Sequence, residues 1–302
     1  MSHMAGLQPE QFEALKAKLW AFMHAHIYPN EREFARQCHI IGRESNEWTS
    51  PPIMAGLKRT AKSLGLWNLF LPVDSAQVAG VQGAGLTNRQ YAEVCEILGT
   101  ASHAEFAAQA TNCASPDTGN METIARYGTP EQRARWLVPL LEGRIRSCYA
   151  MTEPSVASSD ATNIAISIER DEAKRQYVIN GEKWWITGAG SLHSPTLLPS
   201  PIRPSSAALL KAFGDDDAPK GHMQILFDND IANSRIDLES CRLLVYRAAE
   251  LMDTHGNSDR RTRQYLAMVK AHVPRTCQAM IDRCIQARSE SRTCVADLRS
   301  RS

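Results

Sequence analysis

The sequence predicts a mainly α, α+β fold, with helices at both ends and a β domain between them. Two changes of apolar periodicity carry this reading. Apolar residues recur every three to four positions up to Leu141 and again after Ser234, while Ile164, Ile166 and Ile168 alternate with polar neighbours. The expected domains are an N-terminal helical domain over 1–147, a middle β domain over 148–233 and an abbreviated C-terminal helical domain over 234–302.

The elements follow in order. Phe12, Leu15, Leu19, Phe22 and Ile27 mark an amphipathic helix that Pro29 interrupts, and Glu31 to Cys38 resumes it. A second helical run covers Ile53 to Leu64, and Gly65 to Pro72 reads as a turn followed by a buried extended piece. Thr87 is an N-cap for the helix through Val94 and Leu98, which Gly99 stops. Asp117-Thr-Gly-Asn introduces the helix over Met121 to Tyr127, and Thr129-Pro130-Glu131 places a cap and a first-turn proline before Trp136 and Leu141.

Past Cys148 the period changes. Arg170 to Gln176 reads as a polar turn, and Tyr177, Val178 and Ile179 lead to Asn180-Gly181, a hairpin signal. The prolines of the 194–204 insert deny ladder donors to any strand there. Gly221 to Phe227 reads as one recovered strand, after which helices run from Ser234 to Met252 and from Gln264 to Ile285.

Composition narrows the function classes. The chain has 302 residues, 43% of them hydrophobic, and 34 Lys and Arg against 33 Asp and Glu, so it can fill a core and carries no global field for nucleic acid. The late arginines, from Arg283 to Arg301, read as a solvated face. The eight cysteines show no Cys-x-x-Cys and no zinc spacing, which fits free thiols in a reducing intracellular compartment: cytoplasm, mitochondrion or peroxisome. His24 and His26 lie two apart and would diverge on a helix, so they form no metal pair. No stretch is apolar enough to span a bilayer, and no targeting signal is legible.

The most informative segment runs from Cys148 to Gly190. Its polar loop of Thr152, Ser155, Ser158, Ser159 and Asp160 and its adjacent tryptophans Trp184 and Trp185 suggest the wall of a pocket for a flat, polar-edged ligand. Taken alone, Thr-Glu-Pro-Ser is a capped turn and a tryptophan pair beside a hairpin is core packing.

Helices, then Met151-Thr-Glu-Pro-Ser-Val-Ala-Ser-Ser-Asp160 and Trp185-Ile-Thr187, then helices: this order resembles the acyl-CoA dehydrogenase family. Together with Ser115-Pro-Asp-Thr-Gly-Asn-Met-Glu122 it is similar to the long-chain branch of members ten and eleven. The resemblance implies FAD as cofactor, lying against Tyr149, Ala150, Met151, Thr152, Ser158 and Ser159 and under Trp185, Ile186 and Thr187, with Ser159 also near the substrate's pantetheine. It implies oxidation of the Cα–Cβ bond of a fatty acyl-CoA to the enoyl-CoA, electrons passed to an electron-transfer flavoprotein as partner or to oxygen, and a homo-oligomer. A flavin wants donors at its carbonyl and N5 edge and an aromatic wall, which threonine hydroxyls, backbone amides and Trp185 supply in kind.

The chain departs from the family pattern in its later half. No Ala-Asp-Gly-Pro-Asp-Glu-Val string, where this branch carries its catalytic base, is present, and Ile285-Gln286 is followed by Ala-Arg-Ser-Glu-Ser rather than a Gly-rich segment. The first C-terminal helix pair and several middle-domain strands are also missing from the sequence pattern. No catalytic residue is assigned, and two readings stand: an FAD-dependent dehydrogenase, or a catalytically incompetent truncated paralogue that keeps part of the flavin and acyl-CoA cleft or only an interaction surface.

Overall fold

The computed structural model describes residues 6–41, 49–103, 105–157, 160–174, 176–189 and 222–299, with the side chains of 161, 222–231 and 285–299 excepted. Among these residues two compact units separate, one of 6–86 with 93–189 and one of 87–92 with 222–299. The mainly helical α+β class is as the sequence predicts.

The larger unit opens with α1 (Pro9–Phe22), a π-helical turn (Met23–Ile27), a 3-10 turn (Tyr28–Asn30) and α2 (Glu31–Ile40). Pro29 sits in the 3-10 turn, so the break falls where a proline nitrogen cannot donate. Phe12, Leu19, Phe22 and Phe34 face inward, and Phe34 stacks on Phe106 with ring centroids 4.2 Å apart. Met54, Leu57 and Ala61 of α3 (Ile53–Ser63) join this core at the helical spacing that placed them there.

Residues 65–72 are buried at Leu66, Leu69, Phe70 and Leu71, yet the path is a series of turns rather than an extended piece. Gly65 and Asn68 both have positive φ, which an extended segment excludes. Trp67 Nε1 and Asn68 Nδ2 donate to the Leu141 carbonyl at 2.7 and 2.9 Å, tying this corner to the far end of the helical region.

Helices α4 (Val73–Ala79), α5 (Asn88–Leu98), α6 (Phe106–Ala110) and α7 (Asp117–Tyr127) follow. After α7 come α8 (Pro130–Gln132), a π-helical turn (Arg133–Leu137) and α9 (Val138–Leu141). Both caps read from the sequence form. Gln90 N donates to Thr87 Oγ1 and Thr87 N to Gln90 Oε1, each at 3.1 Å, and Thr129 with Gln132 makes the same reciprocal box.

The β content among the described residues is one antiparallel hairpin, β1 (Ser167–Asp171) with β2 (Gln176–Asn180), in the register Glu169 opposite Val178. Its reversal lies between Asp171 and Gln176, within the polar turn read over Arg170 to Gln176, while Asn180-Gly181, read as a hairpin signal, instead ends β2. Gly181 is needed for another reason: a Cβ there would lie 2.7 Å from the Ile166 side chain.

The smaller unit contains α10 (His222–His255) and α11 (Arg260–Arg299), packed on each other. The strand expected at Gly221 to Phe227 is helix from His222 onward, and α10 begins twelve residues before Ser234. A short apolar run cannot separate strand from buried helix, and Met223, Phe227 and Ile231 recur at helical spacing. The proline-rich insert at 194–204 lies outside the described residues. The two helices run antiparallel: Thr262 Oγ1 donates to the Leu251 carbonyl at 3.2 Å near the turn, and Arg283 reaches Ser234 and Asp237 further along.

Asp253 holds the first turn of α5. Its carboxylate accepts from Asn88 N at 2.8 Å, Asn88 Nδ2 at 2.9 Å and Arg89 N at 2.9 Å, while Arg89 lies over the Tyr246 ring and faces Glu250 at 3.5 Å. Asp253→Ala strips two helix-end amides of their acceptor, and we expect it to lower stability by about 2 kcal/mol. Urea unfolding followed by far-ultraviolet circular dichroism checks this, and an unchanged midpoint contradicts it.

Candidate functional site

The site begins at the first turn of α7, in the Ser115-Pro-Asp-Thr-Gly-Asn motif. Asp117 is buried and accepts from Ser147 N at 2.8 Å and Ser147 Oγ at 2.6 Å; its other oxygen faces Arg146 Nε at 2.6 Å. Asn120 Nδ2 donates to Ser147 Oγ at 2.9 Å and to the Cys148 carbonyl at 3.1 Å. A carboxylate at a helix start is favoured by the helix dipole, and here it also fixes the chain entering the Cys148 segment. Burial, with the Arg146 charge next and Lys62 behind it, holds the Lys58 ammonium below its ordinary value, and Asp117 opposes the shift.

A second anchor lies five residues on. Glu153 is only 5% exposed, and its carboxylate accepts from Lys183 Nζ at 2.8 Å, Ala165 N at 2.7 Å and Ile166 N at 3.1 Å. Lys183 Nζ also donates to the Met151 carbonyl at 2.8 Å, and Trp184 N to the Thr152 carbonyl at 3.0 Å. Gly188 closes the far end with φ of +83°, where a Cβ would come within 3.0 Å of the Ser147 carbonyl. These contacts lay residues 147–153 alongside 183–188. The Lys183 hydrogen bond first, then the Ala165 amide, hold the Glu153 carboxyl below the usual carboxylate range.

Two of the runs singled out in the sequence are thus brought together. Tyr149, Ala150 and Thr152 are exposed and Met151 is half-buried; opposite them Trp185 and Thr187 are exposed and Ile186 is half-buried. Trp185 is 69% exposed, has φ of +56° and meets Trp184 edge to face with ring centroids 5.9 Å apart. Ser158 and Ser159 lie outside the described residues. Asp160 caps the turn that follows, accepting from Thr162 N at 2.9 Å.

The chemistry of this surface fits a flavin edge: an uncovered indole and two exposed threonines flank one backbone link, Trp184 N to Thr152 O. Neither side of the link is a regular strand, because its partners are a lysine, a carboxylate and one amide pair. Lys183 is not singled out in the sequence, and Asp117 and Asn120 stand there only as parts of a motif, not as site residues. The available signal was a Glu in Thr-Glu-Pro with a Lys just past a hairpin, an acid–base pair separated by a strand pair that brings its ends together.

Among the described residues no group of three His, Cys, Asp or Glu side chains could hold a metal ion, and no helix is long and apolar enough to cross a membrane. The seven cysteines whose side chains are described, from Cys38 to Cys284, are free thiols.

Comparison with known proteins gives the class. Profiles of the acyl-CoA dehydrogenase N-terminal, middle and C-terminal domains match residues 9–144, 148–207 and 223–291. The chain belongs to the acyl-CoA dehydrogenase family. Acyl-CoA dehydrogenase family member 10 of Mus musculus is 35% identical over 370 aligned positions, covering 93% of this chain and 33% of its own length. FadE2 of Mycobacterium tuberculosis, described as an acyl-CoA dehydrogenase, is 33% identical over 359 positions, with 90% of this chain and 84% of its own length covered. A solved structure of a Mycobacterium abscessus protein, also described as an acyl-CoA dehydrogenase, superposes with a TM-score of 0.71 at 29% identity, covering 94% of this chain and 89% of that one. The chain spans between 33% and 45% of the length of the first three curated relatives. These alignments are longer than the 302-residue chain, so the relatives carry residues inside the matched span that have no counterpart here.

The anchor makes a pH prediction. A carboxyl whose folded pKa is depressed stabilises the site above its unfolded value, near 4.5, and loses that contribution as pH falls through the lower folded value. Acid titration followed by tryptophan fluorescence is expected to show a transition below the ordinary carboxylate range, and Lys183→Met should move its onset upward. An onset that stays put contradicts the anchor.

Proposed function

We propose that the chain binds FAD on the surface formed by 149–152 and 185–187 and acts on a fatty acyl-CoA, oxidising its Cα–Cβ bond to the enoyl-CoA. The observation that supports this most is the Glu153–Lys183 anchor, which sets the two motif segments side by side with Trp185 uncovered. FAD when bound supplies the hydride acceptor. The chain's own part is to offer the Trp185 ring as a wall and to present the Thr152 and Thr187 hydroxyls and nearby backbone groups to the flavin's polar edge. In this reading Ser158 and Ser159 complete the cofactor surface, and Ser159 also meets the pantetheine. Electrons leave to an electron-transfer flavoprotein, and the chain works as a homo-oligomer of three-part subunits divided at 1–147, 148–233 and 234–302.

A second reading, binding without turnover, is favoured by a specific observation. Removing the α proton requires a carboxylate at Cα, and the string that carries this base in the long-chain branch is absent from the sequence. Glu250 and Asp253, acidic residues on α10, are occupied by Arg89, Arg247 and the first turn of α5.

One titration separates the two. The purified chain is expected to take up FAD and show flavin absorption bands, which acyl-CoA added without oxygen should bleach if the chain turns over. Retained FAD with no bleaching by any acyl-CoA assigns the second reading, and a chain that takes up no FAD overturns both. Trp185→Ala should weaken FAD binding by roughly 3- to 10-fold, the worth of one aromatic contact. Fluorescence quenching of the flavin measures it.

A further inference from the structure

Two cysteines come level with each other inside the smaller unit, one on each of its long helices. The register of α10 against α11 is fixed at both ends. Near the turn Thr262 Oγ1 donates to the Leu251 carbonyl at 3.2 Å, and further along Arg283 Nε donates to Ser234 Oγ at 3.0 Å. Seven residues make two helical turns, so a step of seven keeps the same face. Seven on from Ser234 is Cys241, and seven back from Arg283 is Thr276, next to Cys277. The seam is inward-facing there: Cys241 and Thr276 are buried and Cys277 is half-buried. Both cysteines are free thiols.

We infer that Cys241 and Cys277 are a reversible disulfide site, which staples α10 to α11 when a hydroperoxide reaches it.

The geometry suits this bond. With packed helix axes about 8–10 Å apart and Cα atoms about 2.3 Å from each axis, facing positions fall within the roughly 4.4–6.8 Å between Cα atoms that a disulfide needs. Cys284 does not compete for Cys277. It lies seven residues further along the same helix, about 10 Å away at a rise of about 1.5 Å per residue, and two Cα atoms more than about 7 Å apart cannot be bridged without backbone movement. Pro274, three residues before Cys277, brings no N–H to its turn of α11, so the backbone there adjusts more readily than an unbroken helix. Burial first, and then the neighbouring Cys241, push the Cys277 thiol above its ordinary value, which agrees with the closeness that the register gives.

The more accessible Cys277 reacts first. Its sulfur attacks one peroxide oxygen, the O–O bond breaks, water leaves and Cys277 becomes a sulfenic acid. The Cys241 sulfur then attacks the sulfenic sulfur; the S–S bond forms, the S–O bond breaks, and the departing hydroxide takes the Cys241 proton as a second water. Two thiols lose two electrons and two protons, and one hydrogen peroxide is reduced to two waters. A thiol donor such as dithiothreitol reverses the bond.

Peptide mapping of the full chain tests this directly, because trypsin cuts after Arg235, Arg242, Arg275 and Arg283 and so places Cys241, Cys277 and Cys284 on three separate peptides. After hydrogen peroxide, and alkylation of the remaining thiols, the peptides Ile236 to Arg242 and Thr276 to Arg283 are expected to appear as one disulfide-linked species that dithiothreitol separates. Cys241→Ser should abolish it and leave Cys277 as a sulfenic acid trapped by dimedone, whereas Cys284→Ser should leave the link intact. The oxidised chain should also lose its helical circular dichroism at a higher urea concentration than the reduced one, since the bond closes the loop containing the α10–α11 turn. A map in which both peptides stay separate overturns the inference, and so does one that joins either of them to another cysteine. The unsubstituted chain carries this test by itself, whatever the variants do.

Discussion

The described part of the middle region depends on one ion pair, Glu153 with Lys183. Both side chains are largely removed from water, and neither is left with a single partner: the carboxylate has two backbone amides besides, the ammonium a backbone carbonyl. That complement is what allows charges to sit inside, since a buried charge with part of its hydrogen bonding unmet costs more than the pair returns. The pair spans thirty residues, and the hairpin it encloses buries little apolar surface of its own. Without it, the Trp184 N to Thr152 O bond would be a single amide link between two loops.

The recognisable motifs of this chain are to a large extent structural. In Ser-Pro-Asp-Thr-Gly-Asn the aspartate and the asparagine turn inward to hold Ser147 and Cys148, and in Met-Thr-Glu-Pro the glutamate turns inward to hold Lys183. What these residues leave outward is the backbone and the small hydroxyls between them. In the proposed reading a cofactor meets mainly such groups, and the buried acids fix the backbone that would present them.

How much was legible follows the range of the interactions. Thr87 with Gln90 and Thr129 with Gln132 are contacts within four residues, and the sequence pattern states both partners. The hairpin and its polar turn over Arg170 to Gln176 are legible, whereas Asn180-Gly181 has the composition of a turn but ends a strand, its glycine being required by the nearby Ile166 side chain. Gly221 to Phe227 reads as strand because a run of seven residues fits either period, and the helix that wins from His222 onward extends through the polar stretch Asp228-Asn-Asp. Of the candidate site, the residues were legible through the family resemblance and their adjacency was not. Asp117 to Ser147, Glu153 to Lys183 and Asn88 to Asp253 are side-chain contacts across 30 to 165 positions, and no local pattern encodes them.

The backbone of Trp185 has a consequence of its own. A tryptophan with φ of +56° is held in a region that costs an L residue about 1–2 kcal/mol, and glycine would occupy it freely. Selection for folding alone would therefore favour glycine at this position, while the indole stands two-thirds exposed and adds little to any core. The side chain that strains the loop is the same exposed ring that the proposed function assigns to a cofactor wall, so under that proposal tolerance to heat and cofactor affinity would pull this position in opposite directions.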